Sequence, residues 1–378
     1  MWHDLTSDQE LLRDTTARYL ADRASLARMR KDRDHPAGFE PGYWTRGCEL
    51  GWTMLLASED DGGGSVSGRG LADLATISYE FGKHAAPGPL VDCNVAAFAL
   101  SGQAGELQRA ALGEVLTGEA IVSVCLGAAP WHLPGEESLT IRREGGDLVI
   151  DGMIKPAESA AQARYLLVTG RSEQGMSQVL LPADTAGVTI KPLKGIDVSR
   201  RFAKVSFDAV RVADAALIGD FARAEASVAR QVQHAAVMLC AESVGAMDAA
   251  FEMTLDWAFN RYTFGRALAS YQALKHRFAD MKSWLEASHA ISDAAADAVA
   301  DGSASAAELA STAKSYIGVQ GPELCQEGVQ LHGGIGVTYE HDLHFFLRRV
   351  TLNALLYGTP AEHRRLLAAH QIRQEQAA

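Results

Sequence analysis

Arg261, Phe264-Gly265 and Gln272 are the residues whose types and spacing most clearly point to chemistry. They stand in the stretch Asn260-Arg-Tyr-Thr-Phe-Gly-Arg-Ala-Leu-Ala-Ser-Tyr-Gln272, between two long helical patterns. An arginine offers a planar fork of N–H donors that matches phosphate oxygens. The Phe-Gly break is expected to open a new helix, whose N-terminus favours an anion. That combination suits the pyrophosphate of a dinucleotide, and makes this stretch a candidate for binding rather than for proton transfer.

Composition narrows the classes of function. The chain has 378 residues, 47% hydrophobic and 22% charged, as expected of a globular protein with two or three structural units. Its formal net charge of -12 argues against a nucleic-acid partner, because phosphate backbones need a basic face. A small phosphorylated ligand needs only a local patch. No run of about 18 apolar residues exists, so no transmembrane helix is expected. The opening Met-Trp-His-Asp has no signal-peptide pattern, and a cytoplasmic location is expected. Cys48, Cys93, Cys125, Cys240 and Cys325 are scattered and form no Cys-x-x-Cys, so buried, reduced thiols are expected and no metal site.

The elements that must position the candidate residues follow from apolar periodicity and from turn residues. Helical patterns fill residues 1–119: one starts at Thr6, Ser7 or Asp8 and runs toward Lys31, one spans Leu71 to Phe81, and one spans Leu107 to Leu116. Residues 120–220 change texture. Short runs such as Ile121 to Leu126, Leu139-Thr-Ile-Arg, Tyr165-Leu-Leu-Val-Thr and Ala203 to Phe207 are separated by glycines, with a hairpin expected at Gly145-Gly146. Their spacing predicts an antiparallel barrel or sandwich. Residues 221–378 return to helix: Ala224 to Asn260, then a stripe of Leu274, Phe278, Met281 and Leu285, then Ala304 to Gly328, and two shorter segments. The expected architecture is α+β and mainly α: an N-terminal helical domain, a central antiparallel β domain and a C-terminal four-helix bundle.

That order resembles the acyl-CoA dehydrogenase family, and so do the motifs. Arg261…Phe264-Gly265…Gln272 is similar to the family's flavin-binding signature. It is followed by Ala279-Asp280-Met281, by Gln330-Leu-His-Gly-Gly-Ile-Gly336 and by Gly358-Thr359, in the family's order. Further upstream, Glu49-Leu-Gly-Trp52, Glu80-Phe-Gly82 and Asp197-Val-Ser-Arg-Arg201 resemble its landmarks. The resemblance covers essentially the whole chain. It implies FAD as cofactor, an acyl-CoA substrate, α,β-dehydrogenation, and electron-transfer flavoprotein or another acceptor. It places Arg261 at the pyrophosphate with Thr263, Phe264, Leu268 and Gln272 nearby. Gln330, Gly333 and Gly334 would approach the same phosphates, and Thr359 belongs to the same cofactor-binding set. These segments usually serve the flavin of a neighbouring subunit, so a dimer or tetramer is implied.

The positions for the chemistry itself depart from the family. Its catalytic carboxylate precedes Gly-Thr near the C-terminus, where this chain has Tyr357. The alternative position, ten residues before Gly245, holds Ala235. A tyrosine, with an ordinary pKa of about 10, is a poor substitute for a carboxylate base. The family's Thr-Glu-Pro…Gly-Ser-Asp loop is replaced by Gly127 to Ser138, and the Lys-x-Trp/Phe-Ile-Thr strand reads Lys155-Pro156-Ala-Glu-Ser. Arg349 stands where Asp is usual, and Ala361 where a polar residue reaches the adenine. The adenine end of a flavin site is kept and the ring end is altered. The resemblance therefore points to a base-lacking subunit of a heteromeric acyl-CoA dehydrogenase of the type acting on steroid side chains, completed by a homologous subunit. The alternatives are a homo-oligomeric flavoenzyme with a relocated base or altered reaction, and a non-catalytic scaffold on the same fold.

Overall fold

Thr6 starts the first helix by a capping box: its hydroxyl accepts from the Gln9 N–H, and the Gln9 side chain accepts from the Thr6 N–H. In the computed structural model, which describes residues 5–132 and 137–377, this helix α1 spans Ser7–Arg23, and α2 follows at Leu26–Lys31. The pattern expected to run unbroken toward Lys31 is thus split at Ala24. The remaining N-terminal helices are α3 (Pro41–Glu49), α4 (Gly70–Lys83), α5 (Leu90–Leu100) and α6 (Glu106–Thr117). Seven strands follow: β1 (Val122–Leu126), β2 (Leu139–Glu144), β3 (Asp147–Glu158), β4 (Tyr165–Ser172), β5 (Gly175–Pro182), β6 (Val188–Leu193) and β7 (Phe202–Ala213). The long α7 (Glu225–Asn260) leads to a two-stranded hairpin of β8 (Tyr262–Thr263) and β9 (Arg266–Ala267). Then come α8 (Gln272–Ala300), α9 (Ala306–His332), α10 (Leu343–Leu355) and α11 (Pro360–Ala377).

The chain divides into two compact units. One comprises Met29–Leu74 and Pro87–Ala235 and holds the sheet. The sheet is mixed and open, which corrects the expected antiparallel barrel or sandwich. Its order is β1-β4-β2-β3-β7-β6, with β5 paired to β4, and β1 runs parallel to β4. The sequence missed this because β1 and the first half of β4 are nearly continuous apolar runs. Both are buried on both faces, as parallel strands usually are, and such runs carry no alternation to identify a partner. β2, in contrast, alternates: Leu139 and Ile141 are buried while Thr140 and Arg142 face out. The core beneath the sheet gathers Leu139, Ile141, Leu148, Ile150, Val168 and Val205. Each such aliphatic side chain stabilises the fold by roughly 1.5–3 kcal/mol.

The other unit comprises Met1–Arg28, Ala75–Ala86 and Ala236–Ala378. Its helices pack through glycines. A Cβ on Gly82 would fall on the Glu242 carbonyl, and one on Gly245 would fall on the Tyr79 carbonyl, so the α4 and α7 backbones touch directly. The predicted stripe on α8 is confirmed: Phe278, Met281 and Leu285 are buried and Leu274 is half-buried. The alanine-rich end of α8 also packs inward, with Ala295, Ala296 and Ala298 buried. Among the described residues, no helix is long and apolar enough to cross a membrane.

Candidate functional site

The Phe264-Gly265 pair forms the turn of the β8–β9 hairpin rather than opening a helix directly. Both residues have positive φ, 48° and 82°, as the two central residues of a tight hairpin require. The hairpin is closed by the Leu268 N–H donating to the Arg261 carbonyl at 2.9 Å. The Tyr271 hydroxyl donates to the Thr263 carbonyl at 2.8 Å. Only then, seven residues after Gly265, does α8 begin at Gln272. The hairpin thus lifts Arg261, Tyr262 and Phe264 away from the helices. Arg261 and Gln272 are exposed, Thr263 and Leu268 are half-buried, and Phe264 is 99% exposed.

Arg261 is held but not neutralised. Its guanidinium carbon lies 5.7 Å from the centroid of the Trp257 indole, within the range of a cation–π contact. No described carboxylate pairs with it. The second candidate segment arrives at the same place. The end of α9 carries Gln330, exposed, and the helix stops at Gly333, with the Gly333 N–H donating to the Gln330 carbonyl. Nothing lies within 4 Å of where a Cβ on Gly333 or Gly334 would stand, so this backbone faces open space. His332, beside it, stacks on Trp257 with ring centroids 5.2 Å apart and planes 22° apart. His341 closes on His332 at 4.3 Å. The structure therefore brings Arg261 and Gln330 to Gly334 together through Trp257. Sequence reasoning missed Trp257 and His341; the available signal was that Trp257 and Arg261 are four residues apart on one helix face.

Thr359 has a different environment. Its hydroxyl and N–H both donate to a Glu362 carboxylate oxygen, at 2.8 and 2.7 Å, and the Glu362 N–H returns to the hydroxyl. This is a capping box at the start of α11, and it commits both side chains. Tyr357 adopts φ 52° and Gly358 φ 100° in the turn between α10 and α11. The Tyr357 carbonyl accepts from His363 Nε2 at 3.0 Å. Because Nε2 donates, Nδ1 of a neutral His363 accepts from the Ser311 hydroxyl at 3.1 Å. Burial pushes the pKa of His363 down to about 4, which keeps this arrangement neutral near pH 7.

The acids closest to the base positions are already engaged. Glu242 is buried and pairs with Arg349, which is fully buried. Asn353 donates to its other oxygen at 3.0 Å. Arg349 also donates to the carbonyls of Ala85 and Ala86, at 2.9 and 2.8 Å. Ala235 is buried and carries no functional group. In the sheet-bearing unit, the strand expected to offer an aromatic and a threonine instead presents buried Ala157 and a buried ion pair, Glu158 with Arg200 at 3.1 Å. Part of the altered loop, residues 133–136, lies outside the described residues. Trp131 is half-buried, edge-on to His132. Among the described residues no cluster of His, Cys, Asp or Glu could hold a metal ion.

The bundle displays an arginine hairpin and a Gln-x-x-Gly-Gly helix end at one corner, the arrangement that the resemblance to flavin-dependent acyl-CoA dehydrogenases leads one to expect. Comparison with known proteins agrees. Residues 226–372 match the family described as Acyl-CoA dehydrogenase, C-terminal domain. The chain is 29% identical over 356 residues to Acyl-CoA dehydrogenase IpdE2 of Mycobacterium tuberculosis, covering 94% of each. It is 29% identical over 367 residues to the IpdE2 of Mycolicibacterium smegmatis, covering 97% of this chain and 99% of that one. Among solved structures, butyryl-CoA dehydrogenase from Megasphaera elsdenii superposes with a TM-score of 0.86 at 18% identity, over 98% of this chain and all of that one. A variant of the Tcur3481-Tcur3483 steroid ACAD superposes at 0.85 and 24% identity, over 98% and 99%. The chain is similar to acyl-CoA dehydrogenases over nearly its whole length, and residues 226–372 match that family's C-terminal domain.

Proposed function

We propose that this chain is a base-lacking subunit of a heteromeric, FAD-dependent acyl-CoA dehydrogenase, contributing the adenine end of a flavin site whose ring end lies on a homologous subunit. The observation that carries this reading is the contrast between its two halves. Arg261, Phe264, Gln272 and Gln330 are exposed beside the open Gly333-Gly334 backbone. The acids near the family's base positions are consumed by an ion pair and a helix cap. The described residues fit the adenine–pyrophosphate half: an unneutralised arginine fork beside a side-chain-free backbone is a good receptor for a diphosphate.

The chemistry supplied by bound FAD is acceptance of a hydride from the β-carbon of an acyl-CoA. In that assembly Arg261 would offset the diphosphate charge, Gln330 would supply amide donors, and Gly333-Gly334 would allow close backbone approach. Tyr357 cannot remove an α-proton efficiently near pH 7, so the carboxylate comes from the partner subunit. The exposed apolar residues Phe264, Tyr262 and Val337, at 99%, 68% and 76%, fit a face covered by another subunit. The Tcur3481-Tcur3483 steroid ACAD, named for two components, supports a steroid acyl-CoA as substrate class. Electron-transfer flavoprotein or a similar acceptor would reoxidise the flavin.

The visible spectrum of the purified chain tests the reading. Expressed alone, the chain is expected to be colourless. Co-expressed with a homologue bearing the base, it is expected to yield a yellow complex that bleaches with acyl-CoA. Stoichiometric FAD and acyl-CoA-dependent bleaching in the chain alone would defeat it.

A further inference from the structure

We propose that Trp257 and His332 act as positioning residues, forming one stacked platform that fixes Arg261 and the Gly333-Gly334 backbone as a single anion cradle. The proposal rests on the adenine-end reading above. Arg261 and Gly333 follow the ends of different helices, α7 and α9, far apart in sequence, and a diphosphate needs both at once. Trp257 is the link. Its carbonyl accepts the Arg261 N–H at 2.8 Å, its indole lies under the guanidinium, and the same indole stacks on His332, the residue immediately before Gly333.

The stack holds its geometry at the expense of hydrogen bonding. His332 Nδ1 lies 2.7 Å from the Gly328 carbonyl, which can only accept, so Nδ1 carries the proton and Nε2 is an acceptor. Neither His332 Nε2 nor Trp257 Nε1 has a hydrogen-bond partner, although both atoms are buried. Leaving buried polar atoms unmet is unfavourable, and packing alone would be served better by leucine or phenylalanine. Two flat, nearly parallel rings under an arginine give what an aliphatic pair cannot. They provide a π face for the cation and a rigid spacing between the two helix ends. His341 packs edge-on against both rings of the platform, 4.3 Å from His332 and 6.4 Å from Trp257.

The experiment uses the co-expressed assembly, stripped of flavin and titrated with FAD and, separately, with FMN, which lacks the adenosine phosphate. Trp257→Leu is expected to weaken FAD binding about fivefold, the size of one solvent-exposed cation–π contact, while FMN binding stays unchanged. Trp257→Phe keeps a ring and should recover most of the loss. His332→Leu should show the same FAD-selective loss, about threefold, and stands in if Trp257→Leu does not fold. Wild-type FAD affinity in both leucine variants would overturn the platform alone, as would equal losses for FAD and FMN. A wild-type assembly that binds no FAD would overturn both the platform and the reading beneath it.

Discussion

Arg349 shows how one residue type reorganises its surroundings. The family resemblance expects an acid at that position. An arginine there, fully buried, needs negative charge and carbonyls around it, and it finds Glu242, Ala85 and Ala86. Arg349→Met should destabilise the chain by about 3–5 kcal/mol in urea melts, because it strands the Glu242 carboxylate. Adding Glu242→Leu to it should recover a large part of that loss. Buried histidines set the acid limit. Burial pushes His363 and His234 down to about 4 in the folded chain, against about 6.5 in the unfolded one. Between these values the unfolded chain takes up protons that the folded chain refuses. Stability is therefore fully present above about pH 6.5 and falls as pH drops toward 4, by at most about 1.4 kcal/mol per pH unit for each group. His363→Gln should make that decline shallower in melts recorded across this range; an unchanged slope would show that His363 is not one of the groups responsible.

At the scale of elements, the β8–β9 hairpin is the least expected piece. A bulky residue at positive φ is strained, by on the order of 1 kcal/mol or more, and asparagine is the residue that such a turn prefers. Phe264 holds this conformation while 99% exposed, so folding of the chain gains nothing from its ring. The ring's use lies outside the chain. Phe264→Asn should leave the melting temperature of the isolated chain unchanged or slightly raised, yet loosen FAD retention and subunit association in the assembly. Equal behaviour of the variant and wild-type assemblies would remove the hairpin tip from the interface. The same reasoning explains why the glycine break does not open a helix directly. A Phe-Gly pair before a helical pattern looks like a helix start. Whether it turns back on itself depends on the Leu268-to-Arg261 closure, a contact that periodicity does not display.

For the whole molecule, the prediction concerns assembly. Arg261→Ala removes the only charged member of the adenine-side set, and should cost a bidentate phosphate contact, roughly tenfold or more in FAD affinity, without changing the fold. Sedimentation of wild-type and Arg261→Ala chains mixed with the homologous subunit should show the complex in both, with less flavin absorbance co-sedimenting in the variant. Equal flavin in both would remove Arg261 from the pyrophosphate. Tyr357→Glu restores a carboxylate at the family's base position. The chain alone should still show no acyl-CoA-dependent bleaching, because Ala157 and the Glu158–Arg200 pair still occupy the strand where the ring-side groups are expected.

The amino-acid sequence by itself determined the helical segments, the resemblance to acyl-CoA dehydrogenases, and which of that family's motif positions hold other residues. Those depend on local periodicity and on residue identity at short spacing: the α8 stripe, the Arg261 stretch, and Tyr357 and Ala235 where carboxylates are usual. Only the tertiary structure decided which strands pair, because β1 and β4 are buried on both faces and show no alternation that advertises a partner. It alone showed that Glu242 is committed to Arg349, 107 residues away, and that Thr359 caps a helix with Glu362. It also joined Arg261 to Gly333 through Trp257 and His332. Long-range burial and stacking are set by the packing of distant segments against each other, and no spacing along the chain encodes them.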